Sequence, residues 1–441
     1  MATSRSSTVQ QQLQRELQNA RANTDELFRI VREEALYERP IAERHRILFY
    51  VGHLEAFDWN LFREHLFAAQ SETPEMDQLF AFGIDPVDGG LPADQPKDWP
   101  GLGEVREYVA SLRARIDDAL GSGNFPSAKT NGRAAETLLN VAIEHRLMHA
   151  ETLAYMLHRL PYEKKIPQTR SALIEAPAEN PLLEIPAGQA TLGLPRDAAS
   201  PFGWDNEFGA SAVSVPRFRI RKYMVSNADF LEFIEDDGYG AREFWSAEDW
   251  RWKEENGIRH PAFWRQDRPH WFYRGMFEER PLPESWPVYV SHAEASAYAR
   301  WSGQLLPSEA QWHRAAYGTA QGNERVFPWG DKSADTSLGN FDFARWDPAP
   351  VNAHPANKSA FGVAGLLGNG WEWTATPFGP FPGFAAFSFY PGYSANFFDN
   401  RHYVMKGGSA RTAARLLRRS FRNWFQPHYP YVYAGFRCVS R

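Results

Sequence analysis

At 441 residues the chain is too long for one ordinary core, so two or three domains are expected. Hydrophobic residues at 43% and charged residues at 23% are globular values, and a net charge of -6 without a long basic run argues against a nucleic-acid partner. The lone cysteine, Cys438, excludes an internal disulfide and any multi-cysteine metal or copper site, and no apolar run approaches the roughly 20 residues that a membrane span needs.

Met1 to Gln18 is polar and has no apolar centre, so no signal peptide is expected, and a soluble, cytoplasmic protein is the default. The apolar periodicity predicts a first helix over about 8–38, carrying Leu13, Leu17, Leu27, Ile30 and Val31. A second is predicted from Pro40, a residue tolerated in a first turn, to about Ala69. Its His53 sits among Leu48, Phe49, Tyr50, Val51 and Leu54. Glu72 to Trp99 is rich in Gly, Pro and Asp and reads as a loop. A third helix is predicted over about 102–120, ending at Gly121 and Gly123. The fourth, Ala134 to Leu160, contains no Pro and is stopped by Pro161. Four amphipathic helices with one long connection describe a four-helix bundle over residues 8–165, an architecture that sets metal ligands on facing helices.

The fourth helix carries His145 and His149. Residues four apart leave one face of a helix, one turn apart, so two ring nitrogens reach one metal ion. The ordinary alternative is a pair of polar residues on a partly solvated face. For His53 it is a core histidine satisfied by one hydrogen bond. Taken together the three imidazoles suit Fe, Zn, Cu or Ni. Three protein ligands leave coordination positions open, as a reactive centre requires. Glu55 and Glu151 are candidates to accept the outer ring N–H groups, although a solvated surface carboxylate is the preferred reading of Glu55.

Residues 166–184, with Pro167, Pro177 and Pro181, read as a linker. From 185 to 441 the pattern is one of short strands broken by Gly and Pro. Helices are expected at 291–303 and 307–317. The chain's 16 Trp cluster after residue 200, which suggests an irregular fold held by large rings. Lys406 to Ser409 and Ala434 to Arg437 are turn or strand-edge signals. The whole is an α+β protein.

An ordered series of motifs in the second half carries a resemblance. It comprises Ile185-Pro186-Ala187-Gly188, Phe202-Gly203-Trp204-Asp205-Asn206-Glu207, Pro287-Val288-Tyr289-Val290-Ser291, Leu306-Pro307-Ser308-Glu309-Ala310-Gln311-Trp312, Pro328-Trp329-Gly330 and Gly368-Asn369-Gly370-Trp371-Glu372-Trp373-Thr374, then Gly407-Gly408-Ser409 and Ala434-Gly435-Phe436-Arg437. These resemble the formylglycine-generating-enzyme and sulfatase-modifying-factor domain, a variant of the C-type-lectin-like fold. The first half, with His53 and the His145/His149/Glu151 cluster, resembles a DinB-type bundle. In this order the two resemble the ergothioneine-biosynthesis sulfoxide synthases, over nearly the whole chain. That resemblance implies a mononuclear non-haem Fe(II) held by His53, His145 and His149. It implies small-molecule substrates: O2, a thiol, and hercynine, a trimethylated histidine. The thiol sulfur is joined to the imidazole C2 and oxidised to a sulfoxide. It further implies that the lectin-like domain lends a C-terminal loop to the active site. Asn423, Trp424, Phe425 and Arg422 match the loop that contacts the histidine-derived substrate. Tyr390 matches the family's proton-donating tyrosine, and Tyr393 an aromatic wall. A trimethylammonium group is attracted to Trp and Tyr faces by about 0.5–2 kcal/mol.

The chain departs from the family at Met148, where a substrate-contacting Gln is common, and at Phe425, where some members have Asp. It also has no arginine between Gln70 and Pro100, where some members hold the thiol's carboxylate. Arg411, Arg415, Arg418, Arg419 and Arg422 form another basic group, which serves either carboxylates or structural ion pairs. The thiol is left open between cysteine and γ-glutamylcysteine. Selenoneine-type and ovothiol-type synthases and a thiol dioxygenase are the related alternatives. The formylglycine-generating oxidase, which holds copper on a cysteine pair, is disfavoured by the lone Cys438. A non-enzymatic ligand-binding module is the remaining class. The sequence leaves the oligomeric state open.

Overall fold

The computed structural model describes residues 2–81, 91–122, 132–168, 179–197 and 200–441, with side chains from residue 9 and, in the helix that begins at 132, from 135. The chain forms two compact units, Met1–Thr169 and Arg170–Arg441. Of the expected linker, residues 169–178 lie outside the described residues, as does the helix end expected at Gly123.

Four long helices build the first unit: α1 (Ala2–Arg29), α2 (Ile47–Phe62), then, after the short α3 (Pro74–Leu79), α4 (Leu102–Ser122) and α5 (Gly132–Arg159). Leu13, Leu17, Ala20 and Leu27 form the buried stripe of α1, which packs on α5, while α2 packs on α4 and α5. Two expected boundaries shift. The first helix ends at Arg29, well short of 38, because the backbone at 30–32 pairs with 164–166: Ile166 N–H donates to Ile30 (2.8 Å) and Arg32 N–H to Lys164 (3.1 Å). The second helix starts at Ile47, not near Pro40. Arg46 is extended (φ -63°, ψ 155°). Its guanidinium donates to the Tyr37 carbonyl (2.7 Å) and to Asp94 (2.9 Å), which holds the preceding segment out of the helix. The first N–H groups of α2 are then satisfied by the carbonyls of Glu38 (3.1 Å) and Leu36 (2.7 Å). At its far end α2 widens into a π-turn, Arg63–Phe67, which stops at left-handed Ala68 (φ 51°). The segment expected to be a loop contains α3, opened by Pro74 in its first turn.

The second unit is made of small sheets. Strand β1 (Leu182–Ile185) pairs with β4 (Phe218–Arg221), which also pairs with the terminal β12 (Val439–Ser440); β2 (Gly188–Leu192) pairs with β3 (Ser211–Val215). Helices α6 (Asn227–Glu235) and α7 (Ala247–Glu255) precede a meander of β5 (Trp264–Asp267), β6 (His270–Arg274) and β7 (Glu279–Pro281). Helices α8 (His292–Trp301) and α9 (Glu309–Tyr317) each start from a serine, Ser291 and Ser308, whose hydroxyl accepts the N–H three residues on. The central sheet runs β10 (Asn423–Phe425), β9 (Tyr403–Gly408), β8 (Gly370–Pro377), β11 (Ala434–Gly435). The two glycine-rich signals of the sequence are therefore the end of β9 and strand β11. Trp312, Phe341, Leu366, Leu367 and Leu417 fill the core beside this sheet.

One ion pair crosses that core. Arg437 donates Nε and Nη2 to the two oxygens of Glu372, each at 2.6 Å, with both side chains 0% exposed. Trp312 Nε1 donates to the same carboxylate (2.8 Å). Breaking such a pair strands a buried charge and costs about 3–5 kcal/mol. Arg437→Met should therefore lower the urea midpoint by that equivalent, with Glu372→Gln added on top restoring part of it. A single variant as stable as the parent would show that the pair contributes nothing. Close to it lies Cys438, 0% exposed, its thiol pushed up to about 12 by burial.

Candidate metal centre and aromatic site

His53 leaves α2, and His145 and His149 leave α5, toward one another. All three are buried, and a nitrogen of each lies within 4.8 Å of one from the other two. The Nε2 atoms of His145 and His149 are 3.1 Å apart. Two nitrogens at right angles on one ion, each about 2.1 Å from it, would be about 3.0 Å apart, so the pair already has the bite of a chelate. Phe57 stacks on His145 (3.5 Å, 11°) and Phe49 on His53 (4.7 Å, 21°), so aromatic planes fix both rings.

The third ring is oriented by hydrogen bonding. His53 Nδ1 donates to the Phe80 carbonyl at 2.7 Å, which leaves the Nε2 lone pair facing the other two histidines. That Nε2 is buried and has no hydrogen-bond partner among the described residues. An unmade contact of this kind costs about 1–3 kcal/mol, and a metal ion would remove the cost. Burial lowers the pKa of His53 to about 4 and, with mutual repulsion, holds His145 and His149 well below the usual histidine value. At neutral pH the three rings are therefore neutral donors, as a metal requires. The residues present fit a divalent metal of the imidazole-binding class.

The acceptor behind His53 is thus a backbone carbonyl and not Glu55. Glu55 is also not a surface carboxylate: it is 0% exposed. It accepts from Arg113 (2.7 Å) and pairs with Arg146 (3.0 Å) and Arg21 (3.6 Å). Arg146, next to His145, donates to the Leu54 carbonyl (2.9 Å) and Asp58 (2.7 Å). This cluster joins all four helices at the level of the histidines. Glu151 is buried on α5, two positions round the helix from His149. Met148 is half-buried beside it.

Gly52 allows the Phe80 carbonyl to come so near. A Cβ at that position would lie 2.5 Å from the Phe80 ring, so only glycine lets the 74–81 segment rest on α2. The Gly-His dipeptide was the available signal in the sequence. Nothing in the pattern of 72–99 marked Phe80 as its partner.

In the second unit, Tyr390, Tyr393 and Trp424 come together. Tyr393 stacks on Trp204 (3.9 Å, 23°), meets Trp424 edge-on (5.5 Å, 80°) and lies 5.6 Å from Tyr390. Trp424 stacks on Phe378 (4.1 Å, 6°) with Phe397 alongside (5.6 Å). Trp204, Phe378 and Phe397 were not foreseen. Trp204 lay within a motif noted only for its resemblance, and the two phenylalanines had no distinguishing pattern. Asn423, Trp424 and Phe425 are β10, at the sheet edge. Strand alternation puts Trp424 on the opposite face from its two neighbours. Phe425 accordingly stacks on Tyr429 (5.2 Å), away from the cluster, and Asn423 accepts the Trp424 N–H (2.9 Å).

Most of the basic group is committed within the fold. Arg418 is bidentate to Glu207 (2.8 and 2.5 Å), Arg419 pairs with Glu324 (3.0 Å), and Arg411 lies over Trp346 (3.9 Å) and donates to the Phe343 carbonyl (2.9 Å). Arg422 is buried against Glu309 (3.1 Å) and donates to the Gly379 carbonyl (2.9 Å). Structural ion pairs therefore describe three of the five, and ring and backbone-carbonyl contacts hold Arg411.

Residues 171–441 match the family described as the sulfatase-modifying factor enzyme 1-like domain, and residues 16–153 match the DinB superfamily. The chain is 36% identical to a hercynine oxygenase of Mycolicibacterium smegmatis, across 83% of this chain and 83% of the relative. It is 36% identical to a hercynine oxygenase of Mycobacterium tuberculosis, across 76% and 77%. A Neurospora crassa protein named ergothioneine biosynthesis protein 1 is 27% identical, across 92% of this chain and 55% of that one. No helix among the described residues is long and apolar enough to cross a membrane.

Proposed function

The chain belongs to the hercynine oxygenase family, and from that membership we propose that it is a non-haem iron(II), O2-dependent sulfoxide synthase acting on hercynine and a thiol, cysteine or γ-glutamylcysteine. The observation that carries this is the buried three-histidine cluster, built on two helices of the bundle in a chain so similar to hercynine oxygenases. The overall reaction balances as one thiol, one imidazole C2–H and one O2 giving one sulfoxide and one water. The S–H and C2–H hydrogens leave in the water, and O2 takes up four electrons. Bound at His53, His145 and His149, iron(II) would supply the one-electron chemistry that O2 activation needs.

The remaining roles fall to side chains. The rings of Tyr393 and Trp424 hold the trimethylammonium group through their faces. Tyr390 holds a proton at Oη, available to reduced oxygen, since a phenol is a neutral donor at neutral pH. Half-buried Met148, in place of a hydrogen-bonding side chain, leaves substrate orientation on α5 to shape alone. The decisive test is anaerobic iron loading followed by mass spectrometry of the products from hercynine with cysteine, γ-glutamylcysteine or a selenosugar. A sulfoxide containing both substrates, with one O2 consumed per product, supports the proposal. Sulfinate alone, or no O2 uptake, overturns it.

Trp424→Ala should raise the KM for hercynine about 5- to 30-fold while leaving the thiol's KM within about twofold, because loss of a cation–π face costs about 1–2 kcal/mol. Steady-state kinetics with each substrate varied in turn measures this. Equal effects on both constants would assign Trp424 to packing against Phe378.

A further inference from the structure

The turn Asp205–Glu207 carries two carboxylates in the interior, Asp205 0% and Glu207 1% exposed. Burying a carboxylate costs several kcal/mol unless donors surround it, so each should hold something in place. Asp205 Oδ1 accepts from Ser394 Oγ at 2.6 Å. The backbone N–H of Phe387 stabilises the same carboxylate, although burial is the larger influence and raises its pKa. This one side chain thus holds the Ser394 end of 387–394, the stretch that contains Tyr390 and Tyr393, while the Phe387 N–H at the other end favours its charged form. The preceding residue, Trp204, stacks on Tyr393 and lies 6.5 Å from Tyr390.

The turn itself is pinned from the other side. Glu207 accepts from Arg418, from Ser420 Oγ (2.7 Å) and from the Trp204 N–H (2.9 Å). Residues 418–420 lead directly into β10 and Trp424. Residues 378–402, by contrast, contain no strand and no helix longer than the three-residue turn Ala395–Phe397. Regular backbone hydrogen bonding therefore does not place the two tyrosines. A reacting ring must be held to within about 0.5 Å, and charge-assisted hydrogen bonds are the strong ones available.

We propose that Asp205 is a positioning residue for the tyrosine segment. Its bond to Ser394 latches the irregular stretch 387–394 onto the turn that Glu207 anchors, and so sets Tyr390 and Tyr393 relative to Trp424. The role rests on the assignment of Tyr390 and Tyr393 given above.

The test uses the full-length, iron-loaded protein. Ser394→Ala removes the latch with one atom and leaves the buried carboxylate its other donors; Asp205→Ala removes it entirely; Ser394→Thr keeps the hydroxyl. Hydrogen exchange read by mass spectrometry should rise in peptides spanning 384–398 in the two alanine variants and remain at the parent level in Ser394→Thr. In Ser394→Ala, kcat should fall about tenfold, within the range expected for a misplacement of less than 1 Å. The sulfoxide-to-sulfinate ratio should fall with it, while iron content and the thiol's KM are unchanged. Unchanged exchange in both alanine variants overturns the latch. Raised exchange with parental kcat and product ratio overturns the positioning role. Tyr390→Phe measured in parallel separates the causes. If it is impaired while Ser394→Ala is not, the tyrosine assignment stands and the latch fails. If Tyr390→Phe also behaves like the parent, the tyrosine assignment has failed and takes the positioning role with it.

Discussion

His149→Ala should leave a folded protein that no longer retains iron. The remaining pair, His53 and His145, cannot close the three-nitrogen face, and the 3.1 Å chelate between His145 and His149 is lost altogether. Removing even a partner of a metal ligand costs 10–100-fold in affinity, so loss of the ligand should exceed about 100-fold. Iron per chain after desalting should drop below about a tenth of the parent value, with turnover falling in proportion. The fold should survive, because the variant deletes a buried polar ring and not one of the charges that join the helices. A stability change within about 2 kcal/mol is expected, read by far-UV circular dichroism on heating. Full iron content and activity in the His53/His145/His149 triple alanine variant would refute the site.

The second large effect concerns the proton. Tyr390→Phe deletes one oxygen and keeps the ring that lies 5.6 Å from Tyr393 and 6.5 Å from Trp204, so packing and iron binding should be nearly unaffected. Loss of a general acid typically costs 10²–10⁴-fold, and C–S bond formation should slow by that amount. Oxygen would then be spent on the thiol, since one thiol and one O2 give one sulfinic acid with no second substrate. The ratio of sulfoxide to sulfinate in single-turnover products is the measurement. An unchanged ratio at an unchanged rate would remove Tyr390 from the reaction.

How much of this was legible depended on whether the relevant contact was local in sequence. The His145/His149 pair was readable, because i, i+4 geometry belongs to the helix itself. His53 was readable as a third candidate but not its orientation. The Phe80 carbonyl lies 27 residues away on a segment that looked like a loop, and backbone acceptors have no sequence signature. Glu55 was misread for a similar reason. A lone Glu gives no sign of the three arginines from three other helices that enclose it. Helix starts were misplaced where long-range hydrogen bonds outweigh propensity, as at Arg46 and Asp94. The α+β character was legible from the change in periodicity near 166–184, and the helix starts at Ser291 and Ser308 fell close to expectation. The aromatic cluster was legible only by resemblance, since nothing in Tyr390, Tyr393 or Trp424 alone separates them from the many packing rings of the second unit.

The placement of Cys438 bears on what the protein can endure while working. Its sulfur is enclosed in the second unit's core, and with the thiol held near 12 almost none of it is thiolate at neutral pH. Thiol–disulfide exchange and sulfenic acid formation both begin from an accessible thiolate. An enzyme of the proposed kind spends its life with a small thiol, dioxygen and a redox-active metal, a mixture that generates disulfides and peroxide as by-products. By enclosing its one sulfhydryl, the chain offers that mixture nothing to cap, crosslink or overoxidise, so chemical wear falls instead on the half-buried Met76 and Met148 and on the metal itself.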